Sequence, residues 1–170
     1  MAAAAATGLL IWLIVVSATV VPDQVGASLA AYCYVTWALP TTCSSATSKI
    51  VDQMSTWSGA DCPSTCSTCC YYTVTGQSTS GSVTTITGTH GIPIGSFQLK
   101  QDLKFILTPT HGGEQCSVAA SSVQESIFVI KDSGQDYCNL KNIMTGSSLA
   151  TSATESVSGS SCTDLTEATC

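Results

Sequence analysis

The chain has 170 residues and a net charge of −6 at pH 7, because eleven acidic residues outnumber five basic ones. All five basic residues are Lys, so the chain lacks the guanidinium group that phosphate and carboxylate sites usually employ. An acidic chain without basic clusters is a poor partner for nucleic acid and for anionic lipid headgroups. We therefore expect no nucleic-acid partner. Ser and Thr supply 49 of the residues, so surface solubility must depend on hydroxyl groups.

The N-terminus has the pattern of an export signal. Residues 9–21 form a mostly apolar run that is too short for a comfortable membrane span, and Pro22 and Asp23 end it. We predict a signal peptide over residues 1–27, with cleavage between about residues 18 and 30 and preferred sites after Ala27 and Ala30. Residues 28–170 then form a single secreted, extracellular domain that does not contact the membrane. No Lys or Arg precedes the apolar run, so an uncleaved anchor stays an alternative.

Ten cysteines follow the predicted cleavage region. An even number of cysteines in an exported chain predicts that every cysteine forms a disulfide. The ten cysteines would form five disulfides, each contributing about 2–4 kcal/mol of stability. The adjacent residues Cys69 and Cys70 should bond to two different partners, because a bridge between neighbours strains their peptide. The sequence does not determine the pairing. The predicted disulfide residues are Cys33, Cys43, Cys62, Cys66, Cys69, Cys70, Cys116, Cys138, Cys162 and Cys170.

The spacing of Cys66 and Cys69 is also found in zinc sites and in thiol oxidoreductases. A zinc site would need a second such pair or paired histidines, and the sequence has neither. A redox motif would be expected between a strand and a helix, without further cysteines beside it. Structural disulfides are therefore the favoured interpretation, and we predict no cofactor and no metal site.

One long amphipathic helix is predicted over residues 41–57. Its apolar side chains recur at steps of three and four residues, at Ala46, Ile50, Met54 and Trp57. Ser44 or Ser45 is the expected N-cap, and Gly59 the expected stop. A second, short helix is predicted from Asp136 to Gly146, with Cys138 placed to tie it to another element.

Several segments are predicted to be strands of one antiparallel sheet. A hairpin is predicted from residues 71–75 and 82–87. A strand buried on both faces is predicted at residues 127–130. Residues 97–108 alternate apolar and polar side chains, which is typical of a strand with one buried face. Gln101 interrupts the apolar positions, so we expect a bulge or two shorter strands there.

The predicted fold class is therefore α+β: a small disulfide-rich secreted domain with an antiparallel sheet of four to six strands, one amphipathic helix and a second short helix. Residues 145–161 are mainly Ser, Thr, Ala and Gly. This composition predicts a loop or tail, either O-glycosylated or bare, that Cys162 and Cys170 hold to the domain.

No catalytic constellation is recognised, so we predict that the protein is not an enzyme. The serine-hydrolase pattern G-x-S-x-G is absent. The two histidines, His90 and His111, lie beside glycines and are expected in loops; a metal site that combines them with Glu114 or Asp102 is a minor alternative. The carboxylates considered for acid–base chemistry are expected at the solvated surface; they are Asp61, Asp102, Glu114, Glu125, Asp132 and Asp136.

The leading functional hypothesis is a secreted non-enzymatic protein that binds an extracellular protein or glycan or contributes to a matrix. It is expected to act in an oligomer or a complex. Aromatic side chains are the expected contacts, and the candidates are Tyr32, Tyr34, Trp37, Tyr71 and Tyr72.

Two alternatives stay open. The protein is a carrier if the apolar stripe of residues 97–108 lines a pocket for a small hydrophobic ligand. The lining residues would be Phe97, Leu99, Leu103, Phe105 and Leu107. The other alternative is a secreted hydrolase without a recognisable motif, or an inhibitor that uses residues 89–93 as a rigid exposed loop.

Overall fold

A computed structural model describes residues 30–60, 62–63, 66, 68–94, 97–124 and 132–170. The predicted α+β fold is confirmed: six antiparallel strands form one sheet, two helices pack against it, and five disulfides hold the elements together. The strands are β1 Tyr32–Leu39, β2 Tyr72–Ser80, β3 Val83–Ile94, β4 Phe97–Thr110, β5 Gln115–Gln124 and β6 Thr154–Ser156; the helices are α1 Cys43–Thr56 and α2 Gln135–Gly146. The predicted signal peptide and the predicted strand 127–130 lie outside the described residues.

The sheet has the strand order β2-β3-β4-β5-β1-β6, and both helices pack against one face of it. That face supplies the core, where alternate strand residues such as Trp37, Phe105 and Val118 meet Ile50 of α1 and Leu140 of α2. We call the opposite side the outer face; no described helix covers it. Neither helix has the length and apolarity needed to cross a bilayer, as judged on the described part of the chain.

Helix α1 forms as its periodicity predicts. Its buried side includes Ala46, Ile50 and Met54, and Trp57 follows as the C-cap. The predicted N-cap is wrong by two or three residues. Thr42, rather than Ser44 or Ser45, caps the helix, because its extended backbone lets Oγ1 accept a hydrogen bond from the N–H of Ser45 at 3.3 Å.

The predicted hairpin is confirmed as β2 and β3, which turn at Gly81 with φ 59°. The predicted bulge in β4 is wrong, since β4 pairs with both neighbours without a register shift. The irregularity lies in β2 instead, between Val74 and Gly76. Gln101 keeps its place among the inward-facing side chains of β4 because, as described below, polar partners meet it there.

Residues 89–93 are not an exposed loop, so the predicted inhibitor segment is wrong. They belong to β3, which pairs with β4 as far as Ile94. The His-Gly and Pro signals misled the prediction because β2 pairs with β3 only as far as His90, which leaves Pro93 on a free edge where a missing N–H is tolerated. His90 is a buried strand residue with 1% exposure.

Helix α2 matches its predicted bounds, but the segment after it is more ordered than its composition indicates. Strand β6 pairs with β1, Leu149 is part of the buried core, and the partly buried Val157 packs against that core. These few apolar side chains and the strand pairing order a segment that is otherwise Ser- and Thr-rich. The predicted attachment of the C-terminal part is confirmed by the disulfides Cys33–Cys162 and Cys138–Cys170.

All ten cysteines form disulfides, as predicted. Cys69 and Cys70 bond to different partners, which confirms that prediction as well. The remaining bridges are Cys43–Cys116, Cys62–Cys70 and Cys66–Cys69. The first of these fixes the start of α1 to β5, while the other two close short loops just before β2.

Candidate functional site

The outer face of the sheet contains an open groove of about 440 Å³, which we call the outer groove. It runs over β1, β4 and β5 and is bounded by the segment that follows β6. Its side chains are aromatic, apolar, hydroxylic and, at one point, cationic: Tyr34, Thr36, Lys104, Ile106, Ala119, Ser121, Ser156, Val157, Ser158 and Ser161.

Strand register brings the floor of the outer groove together. Ala119 of β5 lies between Thr36 of β1 and Ile106 of β4. In the next outward-facing row, Ser121 lies between Tyr34 and Lys104. Side chains directly opposite each other on neighbouring strands lie about 5 Å apart, so each row forms a continuous surface.

The chain after β6 forms a fixed wall along one side of this floor. The N–H of Tyr34 donates to the Ser161 carbonyl at 2.8 Å, and the adjacent Cys33–Cys162 disulfide ties the same two segments covalently. Ser161 Oγ also donates to the Ser158 carbonyl at 2.8 Å, which holds the turn that precedes it. The wall is therefore held by covalent and hydrogen bonds before any ligand arrives.

Tyr34 is the large hydrophobic side chain that the described structure leaves most open, with 53% exposure. The centroid of its ring lies 5.6 Å from that of Tyr32, with the two ring planes tilted by 52°. Tyr34 lines the groove, and Tyr32 is not among the lining residues. The other aromatic contacts predicted from the sequence differ. Trp37 and Tyr72 are buried, which corrects that prediction, and Tyr71 is partly buried.

The groups lining the outer groove offer apolar contact and hydrogen bonding. Hydroxyls of Ser and Thr each donate one hydrogen bond and accept others. Among the described residues that line the groove, Lys104 is the single charged side chain, and none carries a carboxylate or an imidazole. The groove therefore suits a ligand that has many polar groups but needs little charge compensation.

A second constellation lies inside the protein, between the sheet and α2, and we call it the buried polar cluster. Asn139 Nδ2 donates to Gln101 Oε1 at 2.7 Å and to Ser122 Oγ at 3.2 Å. Ser122 Oγ donates in turn to the Asp136 carboxyl. His90 Nδ1 lies 3.1 Å from Gln101 Oε1, within hydrogen-bond distance. The imidazole also hydrogen-bonds the backbone of Cys70 and Thr68.

Burial sets the protonation of this cluster. It raises the pKa of Asp136 to about 7, and the neighbouring Asp132 carboxyl raises it further, while the hydrogen bond from Ser122 opposes the change. Burial lowers the pKa of His90, although its bond to Gln101 opposes that change. A neutral imidazole and a carboxyl that readily keeps its proton let these groups lie in the core without a counter-charge.

The buried polar cluster corrects two predictions. Asp136 was expected at the surface and His90 in a loop, but their exposures are 0% and 1%. Ser122 is also fully buried, so no substrate reaches the Ser122–Asp136 pair in this conformation. Sequence reasoning missed Gln101 and Asn139 as members; the one available signal was the interruption of the β4 apolar stripe at Gln101.

The other predicted site residues are dispersed. Three of the predicted pocket residues belong to the core, namely Leu103, Phe105 and Leu107. Leu99 is partly buried, and the side chain of Phe97 is not among those that the structure describes. The hydrophobic-carrier hypothesis stays a prediction. His111 is in the turn after β4, far along the strand from His90. Within the described ranges, no three His, Cys, Asp or Glu side chains are grouped to hold a metal ion.

Compared with protein-family models, with curated proteins and with solved structures, the chain matches none of them.

Proposed function

We propose that this protein is a secreted, non-enzymatic binding protein that holds an uncharged saccharide in the outer groove. The observation that carries the proposal is the exposed ring of Tyr34 beside five Ser and Thr side chains, with Lys104 as the single charge among the lining residues that the structure describes. The five are Thr36, Ser121, Ser156, Ser158 and Ser161.

Saccharide chemistry matches this combination of groups. A sugar ring has an apolar face of C–H groups that stacks on an aromatic ring, and a rim of hydroxyls that both donate and accept hydrogen bonds. Tyr34 supplies the aromatic surface and a polar tip, while the serines and threonines match the rim. A neutral sugar does not require the Arg side chains that this chain lacks.

The fixed wall of the groove also favours binding, because it is ordered before a ligand binds. Ligand binding loses free energy when mobile side chains and loops become ordered, and a site that is already ordered avoids much of that loss. Here β-sheet pairing holds the floor, and the Cys33–Cys162 disulfide with the Tyr34–Ser161 backbone bond holds the wall.

An extracellular location is consistent with the disulfides. Five bridges persist in oxidising surroundings and are rare in the cytosol of most organisms. Glycans are abundant in the same surroundings, which supports pairing this location with a saccharide ligand.

The proposal is tested with an array of neutral oligosaccharides derived from β-glucan, mannan and chitin, followed by titration calorimetry of the best binder. We expect Tyr34→Ala to weaken binding about tenfold, because an aromatic side chain that a ligand covers is a typical hot spot. Tyr34→Phe should retain most of the affinity, since the ring is kept. Thr73→Ala, on the same face but outside the groove, is the matched control.

Failure to bind any oligosaccharide on the array would contradict the proposal. So would equal affinity of the Tyr34→Ala variant and the parent protein. Lys104→Gln tests the charge argument separately, because a neutral saccharide should bind this variant with little change, whereas an anionic ligand should lose affinity.

A further inference from the structure

A second depression adjoins the outer groove on the same face of the sheet, and we call it the adjoining depression. It has a volume of about 360 Å³ and lies over β2, β3, β4 and β5. Its outward-facing side chains include Thr75, Thr87, Asp102 and Val123. Lys104 and Ser121 line both the adjoining depression and the outer groove. The two therefore form one continuous surface that reaches from the wall after β6 to β2.

One row of outward-facing positions passes through both depressions. Tyr34 of β1 lies opposite Ser121 of β5, which lies opposite Lys104 of β4. Lys104 in turn lies opposite Thr87 of β3, and Thr87 lies opposite Gly76 of β2. Neighbouring strands are about 4.8 Å apart, so the four spacings from β1 to β2 cover about 19 Å. A ligand that follows this row is extended and longer than a disaccharide.

The β2 end of the row is open and its hydroxyls are held in place. Gly76 has no side chain, and a Cβ at this position would lie 2.9 Å from Thr87 Oγ1. Thr75 Oγ1 donates to Thr87 Oγ1 at 3.2 Å, and Thr87 Oγ1 donates to the Gly76 carbonyl at 3.4 Å. Both ends of the row are therefore ordered before a ligand arrives, which reduces the loss of free energy on binding.

Asp102 gives the adjoining depression a group that the described lining of the outer groove lacks. Its side chain is exposed and lies two residues from Lys104 on the same face of β4. A carboxylate only accepts hydrogen bonds, and its two oxygens can accept from two neighbouring hydroxyls at once. Such charge-assisted bonds are stronger than those between neutral groups. Because Lys104 carries the opposite charge, the two side chains together add no net charge, and the surface still suits a neutral ligand.

We propose that the two depressions together bind a linear neutral polysaccharide, whose chain crosses the strands from the outer groove to β2. In this arrangement Asp102 accepts hydrogen bonds from adjacent hydroxyls of one sugar unit, while Tyr34 stacks on another. The inference rests on saccharide binding in the outer groove and adds the form of the ligand. A ligand with a single accessible sugar would leave the adjoining depression empty.

The first experiment is titration calorimetry with linear oligosaccharides of two to six units, derived from β-glucan, mannan and chitin. In the best-bound series we expect affinity to rise about tenfold or more from the disaccharide to the hexasaccharide, because the added units reach Asp102. An affinity that does not depend on chain length would overturn the extended-chain proposal and leave the saccharide site in the outer groove intact. Absence of binding by all three series would overturn both.

Variants give a second readout. Asp102→Asn should weaken binding of the hexasaccharide about tenfold, whereas the disaccharide should bind as it does to the parent. Thr87→Val should act in the same selective way with a smaller loss. Tyr34→Ala, in the outer groove, should weaken binding of both ligands.

The matched control is Asp52→Asn, which removes the same charge from the exposed side of α1 and should bind both ligands like the parent. Parent-like binding of the hexasaccharide by Asp102→Asn would contradict a second contact region in the adjoining depression. An equal loss for the disaccharide and the hexasaccharide would contradict it as well.

Discussion

Ser122 on β5 donates a hydrogen bond to the carboxyl of Asp136 in the first turn of α2, and both side chains are fully buried. The second oxygen of that carboxyl, Oδ2, has no hydrogen-bond partner among the described residues. Helix α2 is therefore joined to the sheet by polar contacts at its start and by apolar contacts at Leu140 and Ile143 further along.

Asp136 should make stability depend on pH. Its pKa is raised from 3.8 to about 7 in the folded protein, so the folded state keeps a proton that the unfolded state has lost between these values. Because the folded state then binds more protons, the contribution of Asp136 to stability falls as pH rises from about 4 to about 7 and is constant above that.

Asp136→Asn isolates this contribution, because an amide has a similar shape and does not titrate. We expect the melting temperature of the variant, relative to that of the parent, to rise by several degrees as the pH increases from 4.5 to 8. Calorimetry of both proteins checks this difference, which cancels the contributions of other groups such as His90. A constant difference over that range would show that Asp136 is ionised in the folded protein throughout.

His90 should take up a proton at a lower pH than an ordinary histidine. Burial lowers its pKa from the ordinary value of 6.5, although hydrogen bonds to Gln101 and to the backbone of Cys70 and Thr68 oppose that change. Nitrogen-15 NMR of the imidazole, recorded as the pH is lowered, measures the midpoint of this protonation. A midpoint at or above 6.5 would contradict the effect of burial.

Gln101 should matter more for stability than other polar residues of β4. Gln101→Leu would remove the oxygen that the Asn139 amide and the His90 imidazole both contact in the core, which is expected to lower the free energy of unfolding by about 2–3 kcal/mol. Gln98→Leu on the exposed side of the same strand should change it by less than about 0.5 kcal/mol. Urea denaturation measures both, and equal effects would disprove a special role for Gln101.

The disulfides should differ in their contribution to stability. Cys43–Cys116 closes a loop with a separation of 73 residues, whereas Cys66–Cys69 spans 3. Because a bridge restricts the unfolded chain more when its loop is longer, replacing both cysteines by Ser should cost about 4 kcal/mol for the first bridge and about 2 kcal/mol for the second. Denaturant titration of the two double variants gives the comparison; the reverse order would show that native-state contacts outweigh the loop effect.

Local sequence patterns predicted those helices and strands that can be identified without knowing which other elements they pack against. The apolar spacing of Ile50 and Met54 specifies α1, and the alternation that ends at Leu107 specifies one buried face of β4. The same rules failed at residues 89–93, where His-Gly and Pro signals indicated a loop. Pairing with β4 decides that conformation, and pairing is a property of the whole fold.

The candidate sites could not be predicted from the sequence, for a related reason. The outer groove depends on β1 lying between β5 and β6, an order that no local pattern encodes. In the buried polar cluster, Gln101 and Ser122 come from neighbouring strands and Asn139 from a helix, so each alone resembles an ordinary polar residue. Only packing shows that they satisfy one another.

A chemical-shift map of the protein with the best-bound neutral oligosaccharide tests saccharide binding in the outer groove most directly. We predict saturable shifts centred on Tyr34, Ser121 and Ser158, all of which line the groove, and about tenfold weaker binding by Tyr34→Ala. Saturable shifts confined to other parts of the protein, or shifts that survive Tyr34→Ala with unchanged affinity, would contradict the assignment of the outer groove as the binding site.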